Sequence, residues 1–250
     1  MALPLTHLAM TELNPHLSRA PITEAIIIIR VDAPDLTLEK VAGVHDVVRD
    51  TFPEKQDRID YEFVLDVNAA RKTEKHLGWL AWSADRSRAM QARLDGFSFS
   101  RLPQYKNWAE LRDEARRAWV AYSEAVKPRL VKKLAVRYVN RIELPQPIKS
   151  FDDYFQTFPK IGPTLPQVLS GVFVRLLIPF DSVTASITYT IDVPGVTPSV
   201  LPIVLDIEVF KDMDFEPHSD DVWAALDELR SIKNRVFFGS ITKKLEEMFR

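Results

Sequence analysis

The sequence predicts an α+β fold in which a largely antiparallel sheet carries its helices on one face. Apolar and polar residues alternate along several segments with the period of two that is typical of strands. Short connections and one Asp-Gly turn join consecutive strand segments, as antiparallel neighbours require. Three other segments repeat apolar residues every three or four positions, which is typical of amphipathic helices.

The first half of the chain begins with a strand and a helix. Glu24–Val31 is dense in β-branched residues, which favour a strand. An amphipathic helix is predicted over residues 38–52, with Asp35 or Thr37 as its cap and Pro53 as its end.

Four short strands and a second helix complete this half. Tyr61, Phe63, Leu65 and Val67 alternate with neighbours in the first of these strands. The predicted strands cover residues 61–67, 77–83, 87–94 and 96–102. The helix begins after its cap at Asn107 and ends before Pro128.

The second half repeats this order with one long strand, three shorter strands and a helix. The strand over residues 134–144 precedes a proline-rich segment with at most a short helix at residues 151–158. Strands follow at residues 172–180, 183–193 and 201–210. The last helix starts between Ser219 and Asp221 and breaks at Gly239, and Ser240 caps the final turns.

The order of strand, helix, strands and helix thus occurs twice, over residues 20–127 and 130–250. These segments are either two pseudo-repeated halves or one continuous sheet with helices on one side. Because no residue-level similarity relates them, we favour a single domain over residues 20–250, preceded by a mobile leader at residues 1–19.

Composition predicts a soluble cytoplasmic protein. The chain has 250 residues, of which 46% are hydrophobic, and its net charge of −2 disfavours a surface for duplex nucleic acid. The absence of cysteine excludes disulfides and fits a reducing compartment. The first residues lack the pattern of a signal peptide, and the longest aliphatic run, Ala25–Ile29, is far shorter than the ~20 residues that span a bilayer. We therefore expect no membrane association.

The motifs of common cofactors and catalytic centres are missing from the sequence. The five histidines are widely separated, so we expect no metal site. The seven glycines form neither a phosphate-binding loop nor a dinucleotide fingerprint, and no serine has a Gly-x-Ser-x-Gly context. We expect no cofactor, and the sequence leaves any catalytic residue unknown.

Alternation sorts the strands of the second half into an apolar side and a charged side. The apolar side must meet helices, whereas five charged residues share the other side: Arg137, Arg141, Arg175, Asp206 and Glu208. If that side is open to water, these residues form cross-strand ion pairs worth about 0–1 kcal/mol each. If it is roofed, the three arginines converge on an anionic small molecule or a partner protein.

Asp206 and Glu208 also allow an enzymatic interpretation. Positions i and i+2 place two carboxylates on one side of a strand, roughly 7 Å apart, which suits acid/base chemistry or a shared hard cation. A nuclease-type acidic motif would have a lysine two positions after the second acid, but Phe210 stands there.

Several aromatic residues raise a third alternative, which is single-stranded nucleic-acid binding. Side chains of this kind can stack on bases, although at strand and helix spacing they are usually core residues. The residues in question are Trp79, Trp82, Phe97, Phe99, Trp108 and Trp119.

Five segments together resemble a sporadically distributed prokaryotic family of about 250-residue proteins with no assigned function. They are Ala20-Pro-Ile-Thr-Glu-Ala25, Trp108 with Trp119 and Tyr122, Leu134–Ile142, Leu205-Asp-Ile-Glu208, and Lys233-Asn234 with Phe237-Phe238 and Ser240-Ile-Thr242. The resemblance implies a stand-alone cytoplasmic protein and a patchy distribution of the kind seen for defence or toxin-related genes. It adds four residues to the candidate binding residues: Tyr138, Asn140, Lys233 and Asn234.

The resulting prediction is a non-enzymatic binding protein that uses its polar sheet face to recognise a protein or an anionic small molecule. An enzyme centred on Asp206 and Glu208 is the alternative, and single-strand nucleic-acid binding is a second alternative. An exposed edge strand would also allow a homodimer.

Overall fold

The computed structural model describes residues 17–66, 69–103, 105–162, 164–165, 169, 171–192 and 195–250. For residues 61–66 and 69–73 it describes the backbone only. The predicted alternation from Tyr61 to Val67 therefore lies outside the described side chains. Residues 1–16 of the predicted leader also lie outside the described residues. The backbone N–H of Arg19 donates to the carbonyl of Phe249 at 2.9 Å.

Within the described residues, nine strands form one antiparallel sheet. The strands are β1 (Ile22–Asp32), β2 (Glu54–Asp66), β3 (Ala69–Trp82), β4 (Arg88–Arg93), β5 (Gly96–Arg101), β6 (Leu130–Pro145), β7 (Phe173–Phe180), β8 (Val183–Ile191) and β9 (Val200–Phe215). Their order across the sheet is β2-β3-β4-β5-β1-β6-β9-β8-β7. The predicted antiparallel sheet is confirmed, and the first strands of the two halves, β1 and β6, are neighbours at its centre.

The helices of the described chain pack on one face of this sheet, as predicted. They are α1 (Leu38–Val48), α2 (Trp108–Val126), α3 (Asp221–Ser240) and α4 (Lys243–Glu247). α1 packs on β3 and β4, α2 on β5 and β1, and α3 on β9, β6 and β8. We call the opposite sheet face, on which no described helix packs, the open face.

Two tryptophans fix the helices to the sheet and to one another. The indole N–H of Trp79 on β3 donates to the carbonyl of Val41 on α1 at 2.7 Å. The indole N–H of Trp119 on α2 donates to the carbonyl of Pro217, just before α3, at 3.0 Å. Both rings are buried, so each indole places a large apolar group in the core and still satisfies its polar atom.

Several predicted boundaries differ from the structure. β3 begins at Ala69, because its first eight residues pair with β2 through the backbone although they lack an apolar alternation. The short helix predicted over residues 151–158 is only a 3₁₀ turn at Phe151–Asp153.

The end of the last helix also differs. α3 continues through Gly239, and the hydroxyl of Ser240 donates back to the carbonyl of Val236 within that helix. Thr242, and not Ser240, caps α4 by accepting a hydrogen bond from the N–H of Leu245.

Candidate functional site

The predicted site residues on β6 divide between the two faces of the sheet. Tyr138 and Asn140 point toward the helices and are only 1% and 2% exposed. Arg137 and Arg141 lie on the open face, where 40% and 35% of their side chains are exposed. Successive residues of a strand point to opposite faces, so these four candidates cannot form one site.

The charged candidates of β6, β7 and β9 share the open face. Arg137 lies opposite Glu208 in the register of β6 and β9. Asp206 lies opposite Thr188 of β8, and Thr188 lies opposite Arg175 of β7. The five charged residues predicted to share a side therefore do so, and we call them the charged row.

Arg137 and Asp206 form a two-pronged ion pair across β6 and β9. The Nε atom of Arg137 lies 2.9 Å from Oδ1 of Asp206, and its Nη2 atom lies 2.6 Å from Oδ2. The hydrogen bonds to Asp206, together with the charges of Glu208 and Glu24, raise the pKa of the Arg137 guanidinium. Both oxygens of Asp206 are thus engaged, which disfavours acid/base or metal chemistry at this carboxylate.

The other two arginines have different partners. Arg141 donates from Nε to Oδ2 of Asp192 at 3.2 Å and also pairs with Glu143. Arg175 donates from Nε to the hydroxyl of Ser186 at 3.0 Å. The three arginines share a face, but each is held by its own neighbour instead of converging on one point.

A second group of polar residues lies on the opposite side of β6, where α3 meets the sheet. We call it the Lys233 cluster, and it consists of Tyr105, Tyr138, Arg230 and Lys233. The Nζ atom of Lys233 lies 3.7 Å from the centroid of the Tyr138 ring. The hydroxyls of Tyr105 and Tyr138 are 3.2 Å apart. Lys233 and Asn234 are 8% and 9% exposed, so α3 carries two polar side chains into its packed side.

Contacts between α2 and α3 position Tyr105 in this cluster. The indole N–H of Trp108 donates to Oδ1 of Asp227 at 2.5 Å, and Nη1 of Arg112 donates to Oδ2 of the same carboxylate at 2.9 Å. These bonds hold the first turn of α2 against α3. Tyr105, three residues before Trp108, then packs edge-on against the Tyr138 ring with centroids 5.6 Å apart.

Asn140 stabilises the strand beneath the cluster. Its side-chain amide donates to the carbonyl of Tyr138 at 3.2 Å and to the carbonyl of Leu205 on β9 at 3.0 Å. A buried amide of this kind needs such partners, since an unsatisfied donor in the core would be costly. Asn140 is therefore a structural residue of the β6–β9 pair.

The electrostatics of the Lys233 cluster are unusual. Burial, reinforced by the positive charge of Arg230, lowers the pKa of Lys233 to about 7. Burial also raises the pKa of Tyr138 well above its usual range and raises that of Tyr105. Among the described residues, no carboxylate lies within ion-pair distance of Lys233 or Arg230.

Tyr105 and Arg230 were not predicted as site residues. Arg230 precedes Lys233 by three residues, a spacing that puts both side chains on one side of a helix, so this partner was recognisable from sequence. Tyr105 was not, because its contact with Tyr138 depends on how α2 packs against α3.

Other features predicted from sequence do not form a site. Trp79, Phe97, Phe99 and Trp119 are core residues, so they offer no stacking surface for bases. No three His, Asp or Glu side chains in the described ranges lie close enough together to hold a metal ion. Two surface hollows, of about 470 and 540 Å³, lie away from both the charged row and the Lys233 cluster.

Comparison with known proteins adds no assignment. The chain matches no protein-family model, and a search of curated proteins finds no similar sequence. The resemblance to a sporadic prokaryotic family therefore stays a prediction. None of the helices in the described part of the chain is both long enough and apolar enough to cross a membrane.

Proposed function

We propose that this chain is a non-enzymatic binding protein that docks another protein chain on the open face of its sheet. The observation that carries this proposal is the combination of exposed apolar side chains with paired charges on that face. Phe173 and Leu177 on β7 are 75% and 59% exposed, and they flank Arg175 in the same row of side chains. Apolar contacts within a polar surround are the usual composition of a protein interface.

The paired charges favour a protein over an anionic small molecule at this face. The carboxylate of Asp206 already neutralises Arg137, and those of Asp192 and Glu143 neutralise Arg141. A small anion would have to displace these carboxylates, whereas a protein surface can bury the pairs intact and add its own polar contacts. The same pairing disfavours single-stranded nucleic acid, which binds along unpaired cations and exposed aromatic rings.

The size of the open face also suits a protein. Nine strands at a spacing of about 4.8 Å extend over roughly 38 Å across the sheet. A stable interface uses about 800 Å² from each partner, and a surface of this width can supply it. A small molecule would contact only a small part of it.

Site-specific photocrosslinking in cells tests the proposal. A benzophenone amino acid replaces Thr188, near the middle of the charged row, and in a separate variant it replaces Val47 on α1. Val47 is 68% exposed on the helical side and serves as the matched control. We expect a discrete crosslinked protein with the probe at Thr188 and none with the probe at Val47. Equal crosslinking from the two positions, or none from Thr188, would overturn the proposal.

Apolar contact is tested by a paired substitution. In a variant with the probe at Thr188, Phe173→Ser combined with Leu177→Ser should remove most of the crosslinked product, because the exposed apolar area on β7 is lost.

Sedimentation velocity of the purified chain then shows whether the partner is a second copy of this chain or a different protein. A dimer that the double substitution dissociates identifies a second copy of this chain, and a monomer identifies a different protein.

A further inference from the structure

Arg230 and Lys233 on α3 lack the acidic partners that Arg137 and Arg141 have on the open face. Arg230 and Lys233 are one helical turn apart, and the charge of Arg230 acts on Lys233, Tyr105 and Tyr138. Across the described part of the chain, neither cation forms an ion pair or donates a side-chain hydrogen bond. An unpaired cation that is more than nine-tenths buried, as Lys233 is, is costly unless something else compensates its charge.

The ring of Tyr138 compensates only part of that cost. A cation above an aromatic face is attracted to the ring, and the 3.7 Å separation of Lys233 Nζ from the centroid is a close contact. The ring carries no net charge, and among the described residues no carboxylate forms an ion pair with Lys233 or Arg230. The cluster also contains the Tyr105 hydroxyl, which can donate a hydrogen bond.

We propose that Arg230, Lys233 and the Tyr105 hydroxyl form a binding site for the phosphate group of a small ligand. Two positive charges match the charge of a phosphate dianion better than that of a single carboxylate. Arg supplies a planar set of donors and Lys a compact charge, a combination that suits tetrahedral oxyanions. Arg230 and Tyr105 are partly exposed and Lys233 is buried, so the phosphate enters past the first two residues.

Binding at this site is coupled to protonation. Lys233 is only partly protonated near neutral pH, whereas a bound dianion favours its charged form. Phosphate binding at pH 7.5 to 8 therefore takes up a proton from solution at Lys233, and affinity falls as the pH rises. The charged and titratable groups around Lys233 are Arg230 on its own helix, Tyr138 from β6 and Tyr105 ahead of α2.

Isothermal titration calorimetry with inorganic phosphate tests the site on the full chain. We expect saturable binding that Lys233→Met and Arg230→Gln each weaken by about tenfold or more, since each removes a charge-assisted contact. Arg235→Gln is the matched control, because it removes a positive charge from an exposed position on the same helix. This variant should bind phosphate with wild-type affinity.

Three further measurements make the result decisive. Titration in two buffers of different ionisation enthalpy should reveal proton uptake in the wild type, and uptake that persists in Lys233→Met would overturn the role of Lys233. If that variant does not fold, the loss of phosphate affinity in Arg230→Gln alone tests the site.

Sodium chloride at matched ionic strength should not compete with phosphate. Competition equal to that of phosphate would reduce the effect to general screening and overturn the site. Acetate binding more tightly than phosphate would overturn the assignment of a phosphate ligand in favour of a carboxylate.

The phosphate site is independent of the proposed docking function. Lys233→Met and Arg230→Gln alter the helical side of the sheet, whereas Phe173→Ser and Leu177→Ser alter the open face. Loss of phosphate binding in the first pair with unchanged crosslinking at Thr188 separates the two proposals.

Discussion

Lys233 is the residue at which burial and charge oppose each other most strongly. Burial removes water from its ammonium group, and the neighbouring Arg230 adds repulsion, so the pKa of Lys233 falls to about 7 in the folded protein. In the unfolded chain the lysine keeps its ordinary pKa of 10.5. Between these values the unfolded state binds more protons than the folded state, and the free energy of unfolding must therefore rise with pH.

Lys233→Met tests this linkage, because methionine keeps the length of the side chain and removes its charge. At pH 6 we expect the variant to be more stable than the wild type by up to a few kcal/mol, since it carries no buried ammonium. The difference should shrink between pH 7 and pH 9.5 as the wild-type lysine becomes neutral. Urea unfolding without phosphate measures the difference, and a gap that does not change with pH would contradict the predicted burial of charge.

The candidate residues also show how far a single strand can be interpreted from sequence. Alternation placed Arg137 and Arg141 on one side of β6, and the structure has them there. Ion pairing of the arginines with Asp206 and Glu208 was one of the predicted alternatives, but the particular partner of Arg137 was not predicted, because it depends on the register between two strands whose paired residues are 69 positions apart. Tyr138 and Lys233 were both candidates, yet their contact required knowledge of how α3 packs on β6.

At the scale of the elements, N-cap residues predicted where α1 and α2 begin, whereas glycine did not predict where α3 ends. Thr37 and Asn107 cap α1 and α2 by accepting hydrogen bonds from backbone N–H groups in the first turn. Gly239 was expected to end α3, but α3 continues through it. A glycine in a helix costs only about 1 kcal/mol relative to alanine, which tertiary packing can offset.

Asn107→Ala tests the contribution of the α2 cap. The side-chain oxygen of Asn107 accepts from the N–H of Glu110 at 2.9 Å, and its loss leaves that donor to water. We expect a decrease of about 1 kcal/mol in the free energy of unfolding, measured from the urea midpoint. Asn107→Asp keeps an acceptor at the cap and should be close to the wild type. A similar loss in both variants would exclude capping as the cause.

The error in the predicted start of β3 has a different physical origin. The first residues of β3 lack an apolar alternation, and the sequence alone did not identify them as a strand. They pair with residues 59–66 of β2, so their conformation follows from cross-strand hydrogen bonds and not from intrinsic preference. Such a hairpin extension leaves no signal in side-chain pattern.

At the scale of the whole molecule, the two halves share an order of elements but differ in what covers the sheet. α1 packs on the outer strands of the first half. The corresponding position after β6 holds the 3₁₀ turn and its flanking aromatic residues, and Phe155 and Phe158 pack against Tyr189 of β8. The halves meet through the β1–β6 pairing, which extends from Ile22 to Asp32. This central contact is the physical basis for predicting one cooperative unit.

Ile27→Val and Ile207→Val test whether residues 20–250 unfold as that single unit. Ile27 on β1 and Ile207 on β9 are buried in the same core, one in each half. Removal of one methyl group should cost about 1 kcal/mol in either variant, which lowers the protection of the slowest amides about fivefold. If the chain is one unit, each substitution lowers protection equally in β1 and β5 and in β8 and β9, as hydrogen exchange with mass spectrometry would reveal. Because β1 and β6 are hydrogen-bonded neighbours, loss of either half would expose the edge of the other, and this favours the equal outcome. Loss confined to the substituted half would instead identify two separately folding halves.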